Sequence, residues 1–171
     1  MADRSSRDVF DPARLVRVLA EHDVRYVLIG AVAARLAGYP LATYDTDLTP
    51  ERSPENLTRL AAALRALDAR VYTVSVPEGL PFDCSPQALA RAEVWNLVTT
   101  VGRVDVLFSP AGSGGYADLA QSAETFDVND VPVSAASLPS LIKMKEAAGR
   151  PKDLQAVAII KAMLERDERR R

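Results

Sequence analysis

Three aspartates have a spacing that suits chemistry on phosphates. Asp45 and Asp47 are separated by one residue, and Asp105 interrupts an apolar run. On a β-strand alternate side chains point to the same face, so Asp45 and Asp47 would lie side by side, about 6.5 Å apart. Such carboxylates bind Mg²⁺, which takes its other ligands from water and substrate phosphates. We therefore predict a divalent metal site at Asp45 and Asp47, completed by Asp105.

Each part of this pattern also has a structural interpretation. Aspartates one residue apart commonly cap turns or helices. An aspartate inside an apolar strand needs a partner, and Asp105 has Arg103 or a core hydroxyl as alternatives to a metal. The three residues together favour a metal site more strongly than the Asp45 and Asp47 pair or Asp105 does alone.

A turn suited to phosphate binding precedes the aspartates. The β-branched run at 24–29 predicts a buried strand, Gly30 ends it, and the Ala-rich stretch at 31–36 is helical. Glycine allows close backbone approach, and free N–H groups at the start of a helix stabilise anions. A strand–Gly–helix turn is common, so it supports the metal site without being sufficient.

Basic residues cluster near the carboxyl end. Lys145 falls late in one predicted helix, and Pro151 fits the first position of the next, which begins with Lys152 and Asp153. A cation beside free N–H groups at a helix start makes an anion site. The alternative is that Asp153 complements the helix dipole and the lysines are solvated; the sequence does not separate the two.

Strands and helices alternate along the chain, which predicts an α/β (α+β) fold with a mixed sheet flanked by helices and a C-terminal helical pair. Residues 1–10 form a loose lead-in. We predict a core over residues 1–136 and a helical segment over residues 137–171 packed on the same domain. Periodicity and capping residues predict helices at 12–21, 31–36, 54–67, 86–91, 116–124, 138–148 and 151–168. Strands are predicted at 24–29, in the second half of 41–48 and at 71–76, and Thr49-Pro50 is predicted to interrupt the second of these. Residues 94–100 and 103–108 are predicted to form a hairpin. Residues 131–133 are predicted to form an edge strand, because Pro132 lacks an N–H.

Composition restricts the classes of protein. The 171 residues carry a net charge of −2, so the chain as a whole is not a basic nucleic-acid wrapper. Residues 143–171 hold nine Lys/Arg against five Asp/Glu (+4), and the remainder holds 12 against 18 (−6). This asymmetry indicates either a polyanionic partner or a solvated tail. One cysteine, the lack of an apolar run of membrane-spanning length and the polar start favour a cytoplasmic protein.

Two segments resemble the signatures of a known family. Residues 29–48 read IGAVAARLAGYPLATYDTDL, and residues 141–154 read LIKMKEAAGRPKDL. Together they resemble the minimal nucleotidyltransferases, and more narrowly the AbiEii/MenT-type toxins of bacterial toxin–antitoxin pairs. The resemblance covers roughly residues 24–160.

The resemblance implies a DNA-polymerase-β-like core that uses Mg²⁺ (or Mn²⁺) and transfers a nucleotide from an NTP to an acceptor. In the toxin branch the acceptor is the 3′ end of tRNA, and a cognate antitoxin is a partner. By the same resemblance, the metal ligands would be Asp45, Asp47 and Asp105, with Lys145 also in the catalytic set. The residues contacting the nucleotide would be Gly30, Ala31, Thr43, Arg150, Lys152 and Asp153.

Two alternatives to tRNA nucleotidyltransfer stay open. The acceptor could be a small molecule or a protein hydroxyl. The chain could also be an inactive nucleotide-binding module, because the family commonly has Gly or Ser where Ala31 stands and often has Arg where Leu41 stands. An arginine there would supply a bidentate phosphate contact.

Overall fold

A mixed β-sheet of seven strands organises residues 9–171, the part of the chain that the computed structural model describes. The strands are β1 (Tyr26–Ile29), β2 (Asp45–Pro50), β3 (Arg70–Val71), β4 (Val94–Thr99), β5 (Gly102–Leu107), β6 (Glu124–Val128) and β7 (Val131–Ala135). The helices are α1 (Pro12–Glu21), α2 (Gly30–Leu36), α3 (Pro54–Ala66), α4 (Pro86–Leu89), α5 (Tyr116–Ser122), α6 (Leu138–Ala148) and α7 (Pro151–Glu168). The predicted lead-in at 1–10 lies outside the described residues except for its last two positions.

The strand order is β3-β4-β5-β2-β1-β7-β6. The second strand is central: β2 runs antiparallel to β1 and parallel to β5. The predicted α/β fold with a mixed sheet and flanking helices is confirmed. The helices α6 and α7 close the chain as a pair, whereas the division into segments 1–136 and 137–171 stays a prediction.

A leucine-rich core lies behind the central strands. Leu48, Val104 and Val106 point away from the aspartates of the same strands and are at most 1% exposed. They belong to one apolar cluster with the buried faces of α1 and α3, including Leu60 and Leu64. Burial of each such side chain contributes about 1.5–3 kcal/mol. This packing sets the register of β2 and β5, because a slip of one residue would turn the leucine and valines outward.

A second cluster surrounds β1 and β7. It contains buried residues of those strands together with residues of α2, α5, α6 and α7. Leu141 and Ile160 are the fully buried contributions of the last two helices. The carboxyl-terminal pair is therefore held on the β1 side of the sheet.

The strand predicted from residue 24 begins at Tyr26 and the helix predicted to residue 91 ends at Leu89, and two larger differences lie in the first half of the chain. The strand predicted at 71–76 is wrong beyond Val71, because Thr73 accepts the N–H of Val76 and the chain turns back to pair Leu80 with Val71. The predicted interruption at Thr49-Pro50 is also wrong, since β2 continues through Pro50. The proline is tolerated because β2 pairs with β5 only as far as Leu48.

A further difference is a missed strand. The helix predicted at 116–124 ends at Ser122, and β6 then pairs with β7 around Asn129-Asp130. Both turn residues have positive φ (51° and 65°), as a type I′ hairpin requires. The edge strand is thus β6 and not β7. Pro132 fits an inner strand because β1 meets β7 only at Ala135.

Candidate active site

The three aspartates converge at the centre of the sheet. Asp47 is directly opposite Asp105 in the parallel ladder of β2 and β5, and Asp45 shares its face. One carboxylate oxygen from each residue lies within 4.8 Å of the other two. The alternation that buries Thr46 and Leu48 in the core turns the aspartates to the open face. The convergence therefore follows from strand alternation together with the pairing of β2 with β5.

Burial and mutual repulsion perturb two of these carboxyls. Burial, followed by the charges of Asp45 and Asp105, raises the pKa of Asp47 to about 7, against the opposing effect of Lys145 and Lys152. Burial and the charge of Asp45 raise the pKa of Asp105 to about 6, against Arg103 and Lys152. The carboxyls therefore repel one another, and the charges of Lys145, Lys152 and Arg103 offset this repulsion and the cost of burial only in part.

The donor set fits a hard divalent cation. Asp105 Oδ1 is buried and has no hydrogen-bond partner within residues 9–171. Buried polar atoms nearly always have a partner, so this oxygen points to a missing ligand. Carboxylate oxygens are the ligands that Mg²⁺ and Mn²⁺ prefer. The alternative ion pair is present but loose, because Arg103 Nη2 lies 3.8 Å from Asp105 Oδ1.

The turn before α2 is built around one of these carboxylates. Gly30 has φ of +69°, a conformation that favours glycine, and a Cβ there would overlap Asp47 Oδ2. The backbone and the carboxylate therefore lie in direct contact. Thr43 supports the neighbouring aspartate by donating its hydroxyl to Asp45 Oδ1 at 2.8 Å. The phosphate contacts predicted for Gly30, Ala31 and Thr43 stay predictions.

A cationic group lies on α6 and α7. Gly149 ends α6 with a left-handed φ of +66°, and α7 begins two residues later, which brings Lys145 and Asp153 together. The Asp153 carboxylate is buried, accepts from Arg150 Nε at 2.6 Å and lies 3.9 Å from Lys145 Nζ. Asp153 thus pairs with two cations, whereas the resemblance implies that it orients one. Lys152 is exposed beside them.

One cavity of about 750 Å³ contains both groups. Its polar lining combines the three aspartates with Lys145, Arg150, Lys152 and Asp153. Its apolar lining comes from strand ends, the 110–111 loop and the last helices, and includes Ile29, Leu41, Leu107, Leu141, Met144 and Ile159. All ten residues predicted for the site from the sequence line this cavity.

Sequence reasoning missed the wall of the cavity on β4. Asn96 lies opposite Asp105 across the β4–β5 hairpin and lines the cavity. The predicted hairpin around Val101-Gly102 already contained this signal. Pairing Thr99 with Gly102 and counting outward places Asn96 beside Asp105.

Within the described residues, no helix is both long enough and apolar enough to cross a membrane.

Comparison with known proteins gives the fold. No family model and no curated protein matches this sequence. Among solved structures, a Thermotoga maritima protein assigned as a nucleotidyltransferase matches with a TM-score of 0.54 at 14% identity, covering 89% of each chain. The antibiotic-resistance factor ANT(2″)-Ia matches with a TM-score of 0.55 at 16% identity, over 90% of this chain and 84% of that one.

A third match is an antigenic nucleotidyltransferase-like protein from Paracoccidioides brasiliensis. Its TM-score is 0.50 at 17% identity, over 88% of this chain and 73% of that one. At such low identity a structural likeness shows the fold and not the activity. The chain has the nucleotidyltransferase fold, with an acidic triad that could bind metal.

Proposed function

We propose that this protein is a Mg²⁺-dependent nucleotidyltransferase that moves a nucleotide from an NTP to an acceptor hydroxyl. The observation that carries the proposal is the convergence of Asp45, Asp47 and Asp105 within 4.8 Å, in a cavity that cationic side chains also line. Transfer of phosphoryl and nucleotidyl groups depends mainly on positioning and charge neutralisation. Acidic metal ligands beside Lys and Arg supply both.

In this reaction the acceptor oxygen forms a bond to the α-phosphorus, and the bond from that phosphorus to the β-bridging oxygen breaks. Pyrophosphate leaves with the electron pair. Asp45, Asp47 and Asp105 would hold Mg²⁺ (or Mn²⁺), which neutralises phosphate charge when bound. Asp105, with its pKa raised to about 6, is also suited to accept the proton of the acceptor hydroxyl.

The other wall of the cavity would bind the triphosphate. Lys145, Arg150 and Lys152 neutralise phosphate charge, and Asp153 orients the first two. Thr43 keeps Asp45 in position through its hydroxyl. Gly30 and Ala31 present the backbone at the start of α2, which lines the same cavity.

For the acceptor we propose the 3′ end of tRNA, so that the protein acts in the cytoplasm as the toxin of a toxin–antitoxin pair. Support comes from the resemblance of residues 29–48 and 141–154 and from the net charge of +4 over residues 143–171. The acidic remainder argues against an extensive RNA interface. A contact confined to the terminal nucleotides of the tRNA is compatible with a basic carboxyl end beside an acidic remainder.

The test uses each α-³²P-labelled NTP with total RNA, Mg²⁺ and the full chain, followed by gel separation. Wild type is expected to label RNA of tRNA size, and Asp47→Ala to abolish labelling while retaining the circular dichroism spectrum. Asp167→Ala, on the exposed end of α7, is the matched control and should keep full activity. Equal labelling by the Asp47 variant would refute the assignment.

The same reactions separate the alternative acceptors. Label in a small-molecule or protein fraction, with none in RNA, would indicate a small hydroxylated acceptor or a protein hydroxyl. Leu41 favours the inactive module, because it is buried in the cavity wall where an arginine would be a phosphate ligand. NTP and Mg²⁺ binding by calorimetry without any labelled product would support that module.

A further inference from the structure

Asn96 and Asp105 lie side by side on the open face of the sheet. They are directly opposite each other in the antiparallel ladder of β4 and β5. The Asn96 carbonyl accepts the N–H of Tyr72 at 2.9 Å on the other side of β4, so the Asn96 backbone does not bond to β5. The two residues therefore form a non-hydrogen-bonded pair, in which the α-carbons are about 4.5 Å apart and the side chains are closest. An amide thus lies next to the third carboxylate of the cluster.

The Asn96 amide is free to bind a ligand. Its side chain is exposed and lines the cavity beside Asp105. Within residues 9–171 the hydrogen bonds of Asn96 are those of its backbone, so the amide keeps all its donors and acceptors. Although Asn96 and Asp105 are neighbours, their side chains do not bond to each other, and Asp105 Oδ1 has no partner in the same part of the chain. A group with two adjacent hydroxyls could therefore contact both side chains.

The amide's neighbours in the cavity are uncharged except for Asp105. Val94, two residues before Asn96 on β4, is paired with Leu107 on β5, and both line the cavity. Val94 is 48% exposed, so this part of the wall offers apolar surface to a ligand. The cations that line the cavity lie on the other wall, at α6 and the start of α7. The part of a substrate next to Asn96 is therefore a neutral group with hydroxyls, which a sugar ring provides.

We propose that Asn96 binds the 2′ hydroxyl of the acceptor's terminal ribose, while the adjacent 3′ hydroxyl lies at Asp105. This inference rests on the proposed function and names the acceptor class, a strand that ends in a ribonucleoside. The 2′ hydroxyl both donates and accepts hydrogen bonds, as an amide does. Adjacent hydroxyls on one ring match adjacent side chains on paired strands. A deoxyribonucleoside lacks this contact, so Asn96 selects RNA ends over DNA ends.

The experiment compares two short single-stranded RNA acceptors in the labelling reaction with saturating NTP. Both keep the 3′ hydroxyl, but one ends in a ribonucleoside and the other in a 2′-deoxyribonucleoside. Wild type is expected to show a KM for the deoxy-terminated acceptor about 3- to 10-fold higher, the contribution of one hydrogen bond between neutral groups. Asn96→Leu is expected to show that higher KM for both acceptors, with kcat within about threefold of wild type.

Matched variants separate binding from structure. Gln87→Leu makes the same amide-to-leucine change on the exposed side of α4, which packs on the opposite face of the sheet, and should discriminate like wild type. Asn96→Val, with a side chain that favours strands, should repeat the result of Asn96→Leu if leucine disturbs the fold.

Two results would overturn the proposal. An asparagine that only orients Asp105 would, when replaced, lower kcat equally for both acceptors, and wild type would not discriminate between them. Complete loss of labelling of the deoxy-terminated acceptor, in wild type and Asn96→Leu alike, would mean that the 2′ hydroxyl is itself the acceptor.

Failure of the proposed function gives a different result. Label found only in a small-molecule or protein fraction would reject the ribose contact and leave nucleotidyl transfer intact. If wild type labels no acceptor, binding of the two oligomers, each with fluorescein at its 5′ end, is measured by fluorescence polarisation. Weaker binding of the deoxy-terminated oligomer by wild type, with equal binding of both by Asn96→Leu, would support the contact even without transfer. Absence of oligomer binding, or equal binding of both by wild type, would reject it.

Discussion

The carboxylate of Asp47 lies against the backbone of Gly30, at the point where β1 becomes α2. A Cβ at residue 30 would occupy the position of Asp47 Oδ2, and the φ of +69° at this residue is itself unfavourable for other side chains. The turn at Gly30 and the acidic triad therefore share one contact, so a change at either residue disturbs the other.

Replacement of this glycine tests the contact. Gly30→Ala is expected to destabilise the protein by about 1–3 kcal/mol and to weaken Mn²⁺ binding about tenfold or more, because the carboxylate must move. Urea unfolding and Mn²⁺ calorimetry measure the two effects. Gly38→Ala is the control, because Gly38 also has a positive φ (+94°) but has no atom within 4 Å of a built Cβ. Gly38→Ala should lose stability but keep its affinity for Mn²⁺. If both variants bind Mn²⁺ as wild type does, the contact between Gly30 and Asp47 does not matter for metal binding.

The raised pKa of Asp47 predicts how stability depends on pH. A carboxyl whose pKa is about 7 when folded, against 3.8 when free, favours the folded state below about pH 4 and loses that contribution as the pH rises through 7. Asp47→Asn cannot ionise and therefore does not show this loss. Between pH 4.5 and 8, without metal, the free energy of unfolding of wild type should fall by on the order of 2 kcal/mol relative to that of Asp47→Asn.

Urea unfolding in EDTA at several pH values measures this difference. Asp167→Asn, on the exposed end of α7, is the matched control and should follow wild type at every pH. If the free energies of unfolding of wild type and Asp47→Asn differ by the same amount at every pH, Asp47 has the same pKa in the folded and unfolded states.

Metal affinity should rise with pH over the same range. Asp47 and Asp105 have pKa values of about 7 and 6, and protons on them must leave before both can ligate a cation. We expect Mn²⁺ affinity to increase about tenfold from pH 5.5 to 7.5, with proton release that calorimetry in buffers of different ionisation enthalpy detects. Asp105→Asn should bind more weakly and with a shallower pH dependence. A flat profile in wild type would exclude these carboxyls as ligands.

Asp153 should matter for stability and for nucleotide binding together. It is buried between Arg150 and Lys145, so Asp153→Ala leaves a half-enclosed lysine without its partner. We expect a loss of about 2–3 kcal/mol, moderated because Arg150 is exposed, and weaker NTP binding by calorimetry. Glu146→Ala breaks the exposed pair with Lys161 and should cost less than about 0.5 kcal/mol. Similar losses in the two variants would mean that burial of Asp153 has no energetic role.

Much of the fold was accessible from local patterns. Asp11-Pro12 and Ser53-Pro54 mark the starts of α1 and α3, and both capping side chains accept a backbone N–H of the first helical turn. Local signals were insufficient where pairing decides the structure. Val71–Val76 has strand composition, yet only Val71 remains in the sheet, because a turn at Thr73 removes the rest.

The sequence alone determined that Asp45 and Asp47 share a face, because strand alternation is a local property of the backbone. It also placed Lys145 and Asp153 on consecutive helices separated by Gly149. Only the tertiary structure put Asp105 opposite Asp47, since residues 58 positions apart meet through the parallel pairing of β2 with β5. The tertiary structure also brought Arg103 against Tyr72, on the two sides of β4. The position of β4 in the sheet depends on pairing between distant residues and on burial, and no local pattern encodes either.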